Sequence, residues 1–295
     1  MSFLVLITEA FSKYRDEHII MLNLSPKTEE AYLNTGKLLE RYFGNIDMRT
    51  LDFEAIRNWR THLSTYQRPD TVRNNIVNLR NVLKHLRRKQ ISVIDYELIP
   101  VQKREKRIRR YLTEAEYNRF LKEAQRKVVG YSKINRLRNA ALIETIYATG
   151  LRSNELCALN RDTIRDRQFT VIGKSKDPRI GYVDYRATKA IKEYLAERKD
   201  NNPALFISPQ TGKRITDDTL RKIFQNICAR SDEFNLVTPR TIRHSYATKL
   251  LRKKVDIRYI KDLMGHQSIE TTAIYTHYEN PQLREIYDNA HGLLT

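Results

Sequence analysis

The chain has 295 residues, 40% hydrophobic and 30% charged, enough to bury a sizeable core under a heavily solvated surface and a length that suits two domains. Its formal net charge of +19 points to a polyanionic partner, nucleic acid before anionic membrane. No apolar run approaches the roughly 18 residues of a spanning helix, and the apolar start at residues 3–7 has neither a basic segment before it nor a small-residue cleavage site after it. Cys157 and Cys228 offer no disulfide framework and no metal spacing, so both read as small buried hydrophobes in a cytoplasmic protein.

The first hundred residues read as nearly all helix. Ser25-Pro26 is a helix start, with serine as cap, proline in the first turn and Glu29 and Glu30 at the positive end; that helix stops at Gly44. A second helix starts near Asp52 and runs through Ile56 and Trp59, and a third runs from Pro69-Asp70 to about Lys89. In the third, Val72, Ile76, Leu79, Leu83 and Leu86 fall in one narrow stripe at 100° per residue, which predicts a buried face. Arg73, Arg80, Lys84 and Arg87 form a parallel basic stripe about a quarter turn away. No acid is interleaved at the i,i+4 positions that would neutralise it, so the stripe is a candidate phosphate-facing surface and otherwise a solvated face.

Residues 100–110 are basic and without apolar periodicity, a linker composition kept extended by like-charge repulsion. Its Lys103, Arg104, Lys106 and Arg107 could lie along a DNA backbone and make the chain a clamp. A second domain opens at Thr113, with Glu114 and Glu116 in the first turn of a helix. An apolar helix over residues 137–148 stops at Gly150. Residues 168–172 and 180–184 flank the turn GKSKDP and predict the one clear hairpin. Further helices are expected at 188–198, 217–229, 241–252 and 257–264. The fold class is therefore mainly α with a small β-sheet, in two domains: an N-terminal helical bundle over 1–99 and a mixed α/β domain over 111–295.

Four segments carry chemistry: Thr149-Gly-Leu-Arg152-Ser-Asn-Glu155-Leu, the hairpin turn with Lys174, Pro239-Arg240-Thr-Ile-Arg243-His244, and Leu263-Met-Gly265-His266 followed nine residues later by Tyr275. Breaking a phosphodiester without clustered carboxylates for two metal ions requires a nucleophile, fixed cations around the nonbridging oxygens and an acid for the leaving oxygen. Arginines can fork onto phosphate oxygens, and their effect grows as charge builds in the transition state. Taken one at a time, each of these side chains has an ordinary surface or core reading. It is their order and spacing together that separates them from that background.

At these residues the sequence resembles the tyrosine recombinase (phage integrase) family, in its Xer-type and small integrase members, across essentially the whole chain. The resemblance implies an N-terminal DNA-clamping domain and a C-terminal catalytic domain, with no metal and no nucleotide cofactor. Arg152 and Arg243 would hold the scissile phosphate, Lys174 would be the general acid (Lys176 the less favoured alternative), His266 would donate to the same phosphate, and Tyr275 would form a 3′-phosphotyrosine. Glu155 reads as the carboxylate that orients Arg152 or a neighbouring helix. His244, about 100° round the helix from Arg243, reads as structural. The family's His-x-x-Arg-His would place histidine where this chain has Arg240. A permanent cation can hold a phosphate oxygen but cannot take the tyrosine proton. The expected partners are duplex recombination sites, paired by a homotetramer, with the tail from about residue 281 docked on a neighbouring subunit or packed on its own. The rival readings are a monomeric type IB topoisomerase and a non-catalytic DNA-binding protein of the same fold.

Overall fold

The computed structural model describes residues 4–103, 110–172 and 178–265. The chain divides into two compact units, Met1–Arg107 and Ile108–Thr295.

The first unit holds α1 (Ile7–Tyr14), α2 (Pro26–Phe43), α3 (Phe53–Ser64) and α4 (Pro69–Arg88). Helix α1 continues into a π-helical turn, Arg15–Ile20. The expected starts are set by local capping. Ser25 accepts the Thr28 N–H, Asp52 accepts the Ala55 N–H, and Pro69 takes the first position of α4. The residues singled out on the third helix, Val72, Ile76, Leu79, Leu83 and Leu86, are all buried, and they pack with Phe11, Leu39, Trp59 and Leu63. Sequence reasoning did not single out α1, whose Glu9 and Lys13 interrupt the apolar start. Those charges lie outside the buried set Ile7, Ala10, Phe11 and Tyr14, which has helical spacing. Gly36 lets α2 approach it: a Cβ there would stand 2.9 Å from the Phe11 ring.

The second unit is built around α6 (Lys133–Thr149), which is buried on nearly every side. Against it pack α5 (Glu114–Gln125), α8 (Tyr185–Glu197) and α10 (Pro239–Arg252). Between α6 and α8 come the short α7 (Ser153–Ala158) and the antiparallel hairpin β1 (Gln168–Ile172) and β2 (Pro178–Tyr182). Among the described residues, the remaining α-helices are α9 (Asp217–Cys228) and α11 (Ile257–Met264). Strand β2 starts and ends two residues earlier than expected. Pro178 is tolerated at the first position of a strand, and Asp184 is the cap of α8, accepting the Ala187 N–H. That cap also starts α8 at Tyr185 rather than Thr188. Tyr246, Ala247, Ile260 and Met264 form a separate small core joining α10 to α11.

Candidate active site

The site is assembled where three helix ends meet. Helix α6 stops at Gly150 in a left-handed conformation (φ 63°), and a Cβ there would stand 2.5 Å from the Tyr246 ring and 2.8 Å from the Met264 sulfur. Glycine is therefore required both for the turn and for the close packing. Two residues on, Arg152 caps α7 in extended conformation, and the Glu155 carboxylate reaches back to accept its N–H at 2.8 Å. Helix α11 likewise ends on a left-handed glycine, Gly265 (φ 61°).

The carbonyls left over at these ends are taken by arginines, as expected for acceptors without an intrahelical partner near the negative end of a helix dipole. Arg243, buried on α10, donates to the Gly150 carbonyl and, at 2.7 Å, to the Met264 carbonyl. Arg152 donates Nη2 to the Gly265 carbonyl at 2.6 Å and Nη1 to Glu155 at 2.9 Å, and its side chain stays 38% exposed. Both guanidiniums are thus clamped to the segment that immediately precedes His266. Arg240 lies one turn before Arg243 on the same face of α10 and is exposed, in a first turn that carries no acid. His244 is buried. Lys174, Lys176, His266 and Tyr275 lie outside the described residues.

Sequence reasoning missed Arg179. It donates to both oxygens of Glu155, at 3.0 and 2.7 Å, so the carboxylate is shared between Arg152 and Arg179. Burial pushes the Glu155 carboxyl up, but the bonds from Arg179 and Arg152 outweigh it and hold the group at about 2. The signal was in the hairpin alternation. Phe169 and Val171 face the core, and Val171 pairs with Arg179, which makes Arg179 an inward charge in need of a buried acid.

The basic stripe of α4 is not bare. After α4 the chain turns back at Gln90 (φ 60°), anchors Ile99 in the core and lays its own segment along the stripe. Arg73 Nε donates to the Gln102 carbonyl at 2.9 Å, and Arg80 and Lys84 stand 5.9 and 5.5 Å over the Tyr96 ring. Arg87 pairs with Asp95 at 3.1 Å. The acid that pairs with Arg87 comes from the segment after the helix, not from α4 itself. Lys103 is exposed; Arg104, Lys106 and Arg107 lie outside the described residues. Among the described residues, no group of three or more His, Cys, Asp or Glu could hold a metal ion, and no helix is long and apolar enough to cross a membrane.

Residues 110–281 match the phage integrase family. A tyrosine recombinase XerC of Pelobacter propionicus is 31% identical over 282 residues, covering 91% of this chain and 90% of that protein. A tyrosine recombinase XerD of Oceanobacillus iheyensis is 32% identical over 231 residues, 75% of each. A XerC of Thermodesulfovibrio yellowstonii reaches 37% over 168 residues, and there the match spans about half of the relative (55%) and 53% of this chain. Among solved structures, the Tn1549 transposon integrase in complex with a circular intermediate DNA has a TM-score of 0.77 at 17% identity, covering 91% of this chain and 94% of that one. The XerH recombinase bound to its difH substrate has 0.73 at 21%, covering 94% and 84%. At these identities the structural likeness establishes the fold, mainly helical with a small sheet. The chain belongs to the phage integrase family and is a site-specific recombinase of the tyrosine class. These relatives do not favour a topoisomerase or a non-catalytic binder.

Proposed function

We propose that the chain cuts and rejoins duplex DNA through Tyr275, at a phosphate held by Arg152 and Arg243. The observation that carries this reading is the clamp itself. Two arginines far apart in sequence are fixed by the Met264 and Gly265 carbonyls at the end of α11, directly before His266, and Arg243 also by the Gly150 carbonyl at the end of α6. Preorganised cations of this kind cost no reorientation when negative charge develops on the phosphorane. The Tyr275 hydroxyl loses its proton to solvent, favoured by the cations around it, and its oxygen forms a bond to phosphorus as the bond to the 5′ oxygen breaks, while Lys174 supplies the proton that the 5′ oxygen takes. The 3′-phosphotyrosine conserves the bond energy, so the 5′ hydroxyl of another strand can attack in reverse and free Tyr275 without ATP. His266 donates to the same phosphate, and Glu155 keeps Arg152 in place. Arg240 adds a permanent charge at the positive end of α10, where a phosphate is a favourable neighbour.

Around this chemistry the chain works in the cytoplasm as a two-domain clamp on duplex recombination sites. Phosphate contacts come from Arg73, Arg80, Lys84 and Arg87, and from Lys103, Arg104, Lys106 and Arg107 in the basic linker. Four copies pair two sites, and the tail after about residue 281, with apolar Leu283, Ile286, Tyr287, Leu293 and Leu294, docks on the neighbouring subunit. The test is a nicked suicide duplex from which the cut end diffuses away. The protein should become covalently attached to the 3′ end, in the presence of a chelator as in its absence. Tyr275→Phe should bind the duplex and form no adduct. An adduct with that variant would remove Tyr275 from the mechanism.

A further inference from the structure

Glu155 is supported from two sides, and the supports are not equivalent. On one side Arg152 is the group being oriented: it gives the carboxylate its N–H and one guanidinium nitrogen, and its other terminal nitrogen goes to the Gly265 carbonyl. On the other side Arg179 meets both carboxylate oxygens with its two terminal nitrogens. Arg179 is itself 13% exposed and Glu155 7%. A planar fork on both oxygens fixes the plane of a carboxylate, as a point charge does not. The lone pairs that Arg152 uses therefore point where Arg179 sets them. Arg179 also lies against the second support of Arg152, since a Cβ on Gly265 would stand 2.7 Å from its Nη1. Strand β2, which carries it, begins directly after residues 173–177, the segment that holds Lys174.

We propose that Arg179 is a positioning residue of strand cleavage: it fixes the plane of Glu155 and the approach to Gly265, and so the guanidinium plane of Arg152, without touching DNA. The inference rests on the reading of Arg152 as a ligand of the scissile phosphate. A carboxylate held from one side only can rotate, and a misplacement on the order of 1 Å at a reacting centre costs about 100-fold in rate.

The experiment compares single-turnover cleavage by the full-length protein of two nicked duplexes. One carries the ordinary scissile phosphodiester. The other carries a methylphosphonate there, in which a methyl group replaces a charged nonbridging oxygen and leaves less charge for Arg152 to stabilise. Arg179→Met should bind both duplexes as the native protein does and cleave the phosphodiester about 100-fold more slowly. Its deficit relative to the native protein should shrink on the methylphosphonate. Arg179→Lys should recover part of the phosphodiester rate, keeping the charge and losing the fork. A purely structural role would slow both substrates equally; that result, or native-rate cleavage of the phosphodiester, overturns the proposal. Should the methionine variant fail to fold, the lysine variant is compared on the same two duplexes, and equal slowing of both or a native phosphodiester rate again overturns the proposal. Arg152→Ala on the same pair tests the underlying reading separately. If its deficit does not shrink on the methylphosphonate, Arg152 is not the phosphate ligand, whatever Arg179 does.

Discussion

Replacing Glu155 with glutamine keeps the shape of the side chain and removes the charge that two guanidiniums share. The carboxylate is 7% exposed and accepts from the Arg152 N–H, Arg152 Nη1 and both terminal nitrogens of Arg179. Two routes give the size of the effect. Removing one partner of a buried ion pair costs about 3–5 kcal/mol, because the other charge stays buried. Independently, a carboxyl held at about 2, against about 4.3 in an unfolded chain, contributes about 3 kcal/mol of stability at neutral pH. Glu155→Gln should therefore destabilise the second unit by about 3 kcal/mol at pH 7. The sign with pH follows from the depressed value. The contribution is complete above the unfolded carboxyl's range and fades as pH falls through about 4 towards about 2. The gap between native and variant proteins should thus be constant from pH 7 to about 5 and narrow below it. Urea unfolding followed by circular dichroism measures it; the single tryptophan, Trp59, belongs to the first unit and would report the wrong region. A gap under about 1 kcal/mol at pH 7, the size of an exposed pair, would refute the reasoning, as would a gap that does not narrow in acid.

Gly150→Ala forces an alanine into left-handed backbone and drives its Cβ against Tyr246 and Met264, which should cost about 2–5 kcal/mol from strain and overpacking together; thermal melting tests it, and a loss under about 1 kcal/mol would mean that the turn relaxes. DNA affinity should fall log-linearly with salt, and Arg80→Ala with Lys84→Ala should flatten the slope by about 2 if both touch phosphate. An unchanged slope would mean that the pair only carries the Tyr96 ring. Arg240→Ala should slow cleavage about 100- to 1000-fold, with partial recovery in Arg240→Lys. Arg240→His distinguishes charge from proton transfer: a rate that changes near about pH 6.5 and matches or exceeds the native rate would show that losing the Tyr275 proton limits the reaction.

What could be read from the sequence was set by local chemistry. Ser25-Pro26, Asp52, Pro69 and Thr113 start helices because a side-chain acceptor or a proline there suits the first turn, and Gly44, Gly150 and Gly265 end them because only glycine takes a positive φ cheaply. What escaped depended on distant partners. The Arg179–Glu155 pair joins residues 24 apart, between β2 and α7. The covering of the α4 stripe depends on the buried Ile99 and on Ile91, Val93, Ile94, Tyr96 and Val101, which pack the returning segment on the core without helical or strand periodicity. Helix α1 was obscured by two charges whose outward direction becomes visible only once its buried face is known.

The two glycine caps also decide where substitutions should disturb the site. A helix that ends in left-handed backbone turns its last carbonyls away from its own ladder. At Gly150, Met264 and Gly265 those carbonyls are the acceptors that fix Arg243 and Arg152. A carbonyl is part of the main chain, so it cannot be lost by substitution. It can only be moved, by strain at the glycine or by repacking of Tyr246 and Met264 beneath it. Glu155 is a side-chain acceptor in the arrangement, and it is also where Arg179 enters from β2. Sensitivity should therefore concentrate at the two glycines, at Glu155 and at the arginines themselves. Exposed positions on α7 and α10 that neither pack nor bond within this clamp should accept replacement at little cost. Arg240, exposed in the first turn of α10, should be sensitive as well if its partner in the reaction is the phosphate.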